Sequence, residues 1–198
     1  MLRKRVALLE GRRDMSFEEF DGHWATGHAA IIAELPGLHE YVQNSVLDQW
    51  ASGAATRVDG IVEVWFDDDA VSSPEQHTST AQQDDEVVFI RTLTAVTVTD
   101  RRSYASEHKV WVLSPTPLDG ITGLSSPDGA ISCGPDQDAV LMDRPRLRRE
   151  SAPPRTLIIL PTTPAGSRGL YDAVVSAFVE HGAPEGLRVL RTRTRRIR

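Results

Sequence analysis

One long helix followed by a sharp turn is the pattern of the stretch Ser16-Phe-Glu-Glu-Phe-Asp-Gly-His-Trp-Ala-Thr-Gly-His-Ala-Ala-Ile-Ile-Ala-Glu-Leu-Pro-Gly-Leu38. At about 100° per residue, six large side chains share one face of that helix. They are Phe17, Phe20, Trp24, His28, Ile31 and Leu35. Ser16 and Glu19 fit a capping box at its start, and Pro36-Gly37 ends it. The sequence therefore predicts an amphipathic helix over about residues 16–34.

His28 is the polar member of this otherwise apolar face. An imidazole exchanges a proton near neutral pH, and burial favours its neutral form, which suits a general base. Two interpretations follow: His28 lines a pocket and acts on a ligand, or it fills the core and hydrogen-bonds a backbone carbonyl. His23, five residues earlier, is predicted to point in a different direction, so the two histidines make a poor metal-binding pair.

The segments around this helix place it in a larger unit. A polar helix is predicted over about residues 71–83. Four strands are predicted, at about residues 3–10, 38–47, 58–66 and 86–99. Together these elements have the order β-α-β-β-α-β, which is the ferredoxin-like split βαβ arrangement.

The second half of the chain repeats this order with one element reduced. A helix is predicted over residues 167–181, and residues 114–137 are rich in Pro, Gly, Ser and Asp with no helical period. Strands are predicted at residues 109–113, 139–149, 156–160 and 187–198. A loop as long as 114–137 is uncommon inside a compact domain and is often a lid or binding loop.

The sequence thus predicts an α+β fold of two tandem ferredoxin-like units, residues 1–104 and 105–198, with the first helix of the second copy lost or shortened. Each sheet has one face under its own helices and leaves the other face bare. Two such sheets packed face to face form an α+β barrel within one chain. The sequence leaves open whether two barrels associate as a homodimer.

Composition and motifs exclude several classes of protein. The chain has 198 residues, a net charge of −6 and a single cysteine, Cys133, so no internal disulfide can form. It has neither a membrane-length apolar run nor a signal-peptide pattern, and its net charge disfavours a general nucleic-acid binder. No nucleotide-binding loop, nucleophile elbow or metal-spaced Cys/His cluster occurs. We expect a cytoplasmic protein without cofactor, metal, nucleic-acid or membrane partners.

Four sequence blocks in order resemble the EthD family of the dimeric α+β barrel superfamily, over about residues 3–100. The blocks are residues 12–20, Trp24-x-x-x-His28, Leu35-Pro36-Gly37-Leu38 with Tyr41 and Asn44 behind it, and residues 59–66. The resemblance implies a ferredoxin-like half-barrel with a pocket between sheet and helices, and small hydrophobic or aromatic substrates. Members of that family include polyketide cyclases and dehydratases, cofactor-free monooxygenases and lactone isomerases. The second half lacks a Trp-x-x-x-His block, so at most one half carries this site.

Glu63 is the second candidate for chemistry. On its predicted strand it shares a face with Ile61 and Trp65, where a carboxylate is out of place if the face is dry. If this face lines the barrel, we expect its pKa to rise and the carboxyl to act as acid or base beside His28. The alternatives are a solvated sheet edge or a partner for an arginine.

Four aromatic residues are predicted as walls for a flat ligand, although core packing also explains them. They are Phe20, Trp24, Tyr41 and Trp65. Asn44, on the strand face opposite Tyr41, is predicted to have a polar binding role.

The leading hypothesis from these residues is a cofactor-independent enzyme that transfers protons on a small hydrophobic, aromatic or polyketide-like molecule, as a cyclase, dehydratase or isomerase. The alternatives are a non-catalytic ligand-binding or accessory protein of the same fold, and a cofactor-free monooxygenase.

Arginines crowd two segments, residues 144–149 and 188–198. They fit phosphate contacts to an anionic ligand or nucleic acid. They also fit ion pairs with the acidic segments 67–69 and 84–86, and protection of a sheet edge. No stacking aromatics interleave with these arginines, which favours the ion pairs.

Overall fold

Strands make up most of the fold in the computed structural model, which describes residues 2–70, 78–98, 102–118, 130–135 and 144–198. Only the backbone is described at positions 68, 97 and 130–135. The strands are β1 (Leu2–Gly11), β2 (Leu38–Ala51), β3 (Gly60–Asp67), β4 (Ile90–Val98), β5 (His108–Ser114), β6 (Ala130–Pro135), β7 (Thr156–Thr162) and β8 (Arg188–Arg196). The α-helices are α1 (Phe17–His23), α2 (Ala29–Ala33), α3 (Thr80–Phe89) and α4 (Pro164–His181).

The strands form one closed antiparallel barrel in the order β1-β3-β2-β8-β5-β7-β6-β4, and β4 pairs back onto β1. The mixed α+β class and the barrel within a single chain agree with the prediction. Four strands of the first half lie side by side as β4-β1-β3-β2, and the other four follow as β8-β5-β7-β6. The seams between these groups are the β2–β8 and β4–β6 ladders.

Alternating side chains give the barrel an inner and an outer apolar layer. The inner cluster contains Val6, Leu8, Ile61, Trp111 and Leu190, and so joins strands of both halves. Outside the barrel, α1 and α3 pack on β1 and β4, α2 packs on β2 and β3, and α4 packs on β5, β7 and β8. Helices therefore cover the outer face of the barrel, while the inner face is filled by side chains.

The helix predicted over residues 16–34 is present but interrupted. Its capping box forms as expected: the Glu19 N–H donates to the Ser16 hydroxyl over 3.2 Å, and the Ser16 N–H donates to the Glu19 carboxylate over 2.7 Å. Between α1 and α2, residues Trp24–His28 form a π-helical turn. Because a π turn links residues five apart, it aligns side chains that an α-helix would separate, and such turns are frequent at functional sites.

Trp24 lies directly on β3 at Gly60. A Cβ built on Gly60 would stand 2.6 Å from Trp24 Cζ3, so this close approach requires the absence of a side chain. The indole N–H of Trp24 donates to the Tyr41 hydroxyl over 3.1 Å. The π turn is thereby held against the outer face of the barrel.

Two strand predictions are wrong. Residues 86–89 belong to α3, because Ser79 caps that helix and Glu86 and Phe89 lie on its buried face. Residues 144–149 form no named strand, although an isolated parallel bridge joins Arg148 to Thr92.

The rest of that predicted strand, 139–143, lies outside the described residues, as do 71–77 of the predicted polar helix and part of the predicted 114–137 loop. Within that loop, residues 130–135 form β6.

The arginines of β8 form ion pairs, but not with the predicted acidic segments. Their carboxylate partners are Glu150 for Arg188, Asp48 for Arg191, Asp21 for Arg193 and Arg195, and Glu40 for Arg196. Asp21 lies on α1, so two of these pairs tie the first helix to the last strand. In the part of the chain that the structure describes, no helix has both the length and the apolarity to cross a membrane.

Candidate functional site

A cavity lies between the outer face of the first-half strands and the helices above it. Its volume is about 60 Å³, room for a few water molecules and well below the range of about 300–1,000 Å³ for drug-sized ligands. Apolar side chains of β1, β3, β4 and α2 form most of its wall. The polar and charged residues that line it are Arg5, His28, Tyr41, Gln82, Glu86 and Arg144.

His28 reaches this cavity from the end of the π turn and is held by a carboxylate. Its Nδ1 lies 2.8 Å from Asp85 Oδ2 on α3. The second oxygen of Asp85 lies 2.8 Å from His23 Nε2, so one carboxylate joins two imidazoles. Phe89 packs against both rings, with centroids 4.9 and 5.0 Å away. The prediction that the two histidines point in different directions is wrong, because the π turn aligns residues five apart.

Burial keeps the His28 ring neutral. Desolvation lowers the pKa of His28, and the hydrogen bond to Asp85 offsets only part of that effect. In a neutral imidazole whose Nδ1–H donates to a carboxylate, Nε2 carries the lone pair. Among the described residues, none hydrogen-bonds His28 Nε2. A neutral imidazole with a free Nε2 lone pair has the protonation state that a general base requires.

A second set of polar groups closes the cavity beside α3. Glu86 is buried and accepts from the amide of Gln82 over 2.8 Å, while the Arg144 guanidinium donates to its other oxygen. Arg144 also donates to the Thr78 hydroxyl over 3.3 Å. This buried pair fixes the position of α3 and places a cation in the cavity wall.

Tyr41 is placed to donate a hydrogen bond. Its hydroxyl accepts from the indole of Trp24 over 3.1 Å and from the amide of Gln43 over 2.8 Å. Both contacts use the oxygen as acceptor, which leaves the phenolic proton for another partner. Burial raises the pKa of Tyr41 well above its ordinary value, so the hydroxyl stays protonated.

The structure separates the seven predicted site residues into three groups. His28 and Tyr41 line the cavity. Phe20 of α1 and Trp24 of the π turn pack against the outer face of the barrel and are not among the cavity-lining residues. The other three, Asn44, Glu63 and Trp65, lie on the strand faces that point into the barrel, so they share no space with His28.

Glu63 is the centre of a buried ion cluster inside the barrel. Lys4 Nζ lies 2.7 Å from its Oε2, and the Lys109 ammonium contacts its Oε1 from across the barrel. The Asn44 amide donates to Glu63 over 3.0 Å. Burial by itself would raise the pKa of Glu63, but the two ammonium groups outweigh it and hold the pKa below its usual range. The expected rise in pKa is therefore wrong, and the ion-pair partners of Glu63 are two lysines, not the arginine of the alternative prediction.

Two residues at this site, Asp85 and Glu86, are not among those predicted from the sequence. Both lie on one face of α3 with Gln82 and Phe89, at the i, i+3, i+4 and i+7 spacing. That periodicity is visible in the sequence. The Val-rich residues after Glu86 favour a strand, and for this reason the sequence predicts the helix earlier, at about residues 71–83.

Comparison with known proteins agrees with the N-terminal assignment. Residues 12–92 match the family model described as EthD domain, which spans α1 to the start of β4. No curated protein matches the chain. The match is consistent with a protein related to small molecules, and it names no reaction. The matched residues are therefore similar to an EthD domain, and they include His28, Tyr41 and Asp85.

Proposed function

We propose that this protein is a cofactor-independent enzyme that transfers a proton on a small hydrophobic molecule, with His28 as the base. One observation carries the proposal: a buried histidine is held by Asp85 and borders a cavity. A structural core histidine needs only a backbone carbonyl as partner. A carboxylate partner instead stabilises the imidazolium that forms when the ring accepts a proton.

The proposed reaction begins when His28 Nε2 removes a proton from carbon or oxygen of the bound molecule. Asp85 accepts from Nδ1–H throughout and balances the positive charge on the ring. The Tyr41 hydroxyl donates to the substrate oxygen on which negative charge develops. His28 then returns the proton to a different atom, which completes an isomerisation, a dehydration or the closure of a ring. General acid–base catalysis of this kind contributes about 10²–10⁴-fold to a rate.

Substrate size is limited by the cavity. At about 60 Å³ it does not admit an aromatic ring without movement of its wall. A larger substrate requires a displacement of α3 and Arg144, because the Glu86–Arg144 pair and the Asp85 contacts hold this helix over the cavity. The apolar strand residues beneath favour a hydrophobic, aromatic or polyketide-like molecule over a sugar or nucleotide.

We also infer that the barrel is a fusion of two ferredoxin-like units, residues 1–104 and 105–198. The strand orders β4-β1-β3-β2 and β8-β5-β7-β6 support this, since each has the 4-1-3-2 order of that fold. In the second unit, α4 packs Tyr171, Val174 and Phe178 onto its strands. Among the described residues of this layer no histidine pairs with a carboxylate, which supports a single active site, in the first unit.

Exchange of acidic C–H groups tests the proposal without a known substrate. The full chain is incubated in D₂O with acetylacetone, benzoylacetone and a naphthyl β-diketone, and deuterium uptake is followed by NMR. We expect exchange above the buffer rate with at least one probe, and a loss of about 10²–10⁴-fold in His28→Gln. The matched control is His23→Gln, which contacts the same carboxylate from outside the cavity and should lose less than tenfold.

A non-catalytic ligand-binding role is the second candidate, favoured by the small cavity and the buried Glu86–Arg144 pair that closes it. In that case a probe binds, as seen by shifts of the Tyr41 ring signals, but its exchange rate equals that of buffer. Equal exchange in wild type and His28→Gln would refute the catalytic proposal.

A further inference from the structure

One end of the barrel, where β1 ends and β4 begins, carries a concentration of positive charge. Two adjoining grooves there, of about 520 and 460 Å³, are lined by seven arginines between them. Both grooves include Arg13, Arg91 and Arg148 in their walls. This concentration is local, because the chain as a whole has a net charge of −6.

Most of these arginines are neutralised by carboxylates. Four ion pairs are formed: Arg12 with Asp14 at 2.7 Å, Arg57 with Asp59 at 2.8 Å, Arg91 with Glu10 at 2.5 Å, and Arg146 with Asp84 at 2.8 Å. Arg13 and Arg148 differ from these four. Both side chains are exposed, and neither makes a hydrogen bond or ion pair to any residue in the described part of the chain.

The backbone holds the two unpaired arginines on facing segments. Arg13 lies in the turn that leads from β1 to α1, and the backbone of the adjacent Arg12 donates to Phe89 over 3.0 Å. Arg148 is joined to the start of β4 by two backbone hydrogen bonds, of 3.1 Å to Arg91 and 3.0 Å from Leu93. Arg13 and Arg148 each line the two grooves, so their side chains border the same space.

We propose that Arg13 and Arg148 form a binding site for the oxyanion group of a small-molecule ligand, a phosphate or a carboxylate. A guanidinium group presents a planar fork of donors that matches such a group in bidentate geometry. Val87, Ile90 and Leu147 line the larger groove beside the arginines and offer an apolar surface to the remainder of the ligand.

The charge pattern favours a small ligand over a macromolecule. Paired neighbours restrict the uncompensated charge to a short stretch, whereas a nucleic acid needs a run of free cations along its backbone. Among the described residues that line the two grooves, none is aromatic, so none stacks on a base. A stable protein interface is a broad surface of about 800 Å² per partner. The two features here are grooves, and their volumes lie in the range of small-molecule sites.

This inference does not depend on the chemistry proposed at His28. Ile90 belongs to the wall of the larger groove and also to that of the His28 cavity, so it separates the two spaces. Ligand in the groove and ligand at His28 can therefore be detected separately.

Calorimetric titration of the full chain with inorganic pyrophosphate and, separately, with citrate tests the site, and the two anions distinguish phosphate from carboxylate ligands. We expect saturable binding of at least one anion, weakened by added salt because the groups are exposed. The double variant Arg13→Gln/Arg148→Gln should weaken it at least about tenfold, since it removes both charge-assisted contacts. Arg155→Gln is the matched control, because Arg155 is also exposed and lines neither groove.

Equal affinity in the wild type and the double variant, with both folded by circular dichroism, would overturn the proposal. The absence of saturable binding of either anion would do the same. A third titration uses a single-stranded oligothymidine. If it binds more tightly than both small anions and depends on the same two arginines, the partner is a nucleic acid and the small-ligand proposal is wrong.

Discussion

Replacing Glu63 by glutamine should strongly destabilise the fold. The side chains of Lys4, Glu63 and Lys109 are at most 1% exposed, and the carboxylate is the partner that the two ammonium groups share. Glutamine keeps the size of the side chain but removes its charge, and its amide hydrogens would face the ammonium groups. Breaking a buried ion pair in this way costs about 3–5 kcal/mol. For a chain of this length that corresponds to a fall in Tm of roughly 6–20 °C.

Lys109→Met is the matched control in the same cluster. It removes one of the two cations, and the pair between Lys4 and Glu63 stays intact at 2.7 Å. Methionine fills a similar volume and introduces no polar group, so a cost below about 1.5 kcal/mol is expected. The prediction is thus an asymmetry: the loss of the shared anion is expensive, and the loss of one of its cations is cheap.

Urea unfolding followed by tryptophan fluorescence measures both variants. The pKa of folded Glu63 is lowered below its ordinary value of 4.5, since Lys109 and Lys4 outweigh the effect of burial. Its stabilising contribution is therefore present above that value and is lost as the pH falls through the lower folded pKa. Wild type and Glu63→Gln should differ at pH 7 and converge in strong acid. A cost of Glu63→Gln below about 1 kcal/mol, or one no larger than that of Lys109→Met, would refute a structural role for the cluster.

Three further predictions concern the π turn and the cavity. Gly60→Ala should cost about 1–3 kcal/mol, because the new Cβ meets Trp24 at 2.6 Å; Gly169→Ala, with open space around it, should not destabilise. Unfolding free energy should fall as the pH drops below 6.5, because unfolded His28 binds a proton more readily than the folded form, and His28→Gln should reduce that slope. Asp85→Asn should lower the NMR-measured pKa of His28 further, and an unchanged value would contradict the contact.

The N-terminal helix and the strand over residues 58–66 follow from local sequence. The capping box at Ser16, the Pro36-Gly37 stop and the alternation along residues 58–66 are short-range signals, and each produced the predicted element. The face of β3 that carries Glu63 also follows from period-two alternation. In the second half, α4 and β7 were predictable for the same reason.

The partners of the chemical groups depended on the tertiary structure. Asp85 meets His28 because α3 packs against the π turn, and residues 57 positions apart show no mutual periodicity. Lys109 meets Glu63 because the barrel closes across its interior, a contact between strands that are not neighbours in the sheet. Helix and strand periods are local and can be read from neighbouring residues. A pKa or a base–carboxylate pair is set by whatever side chain folding brings within a few ångströms, and that was decided only by the closure of the barrel.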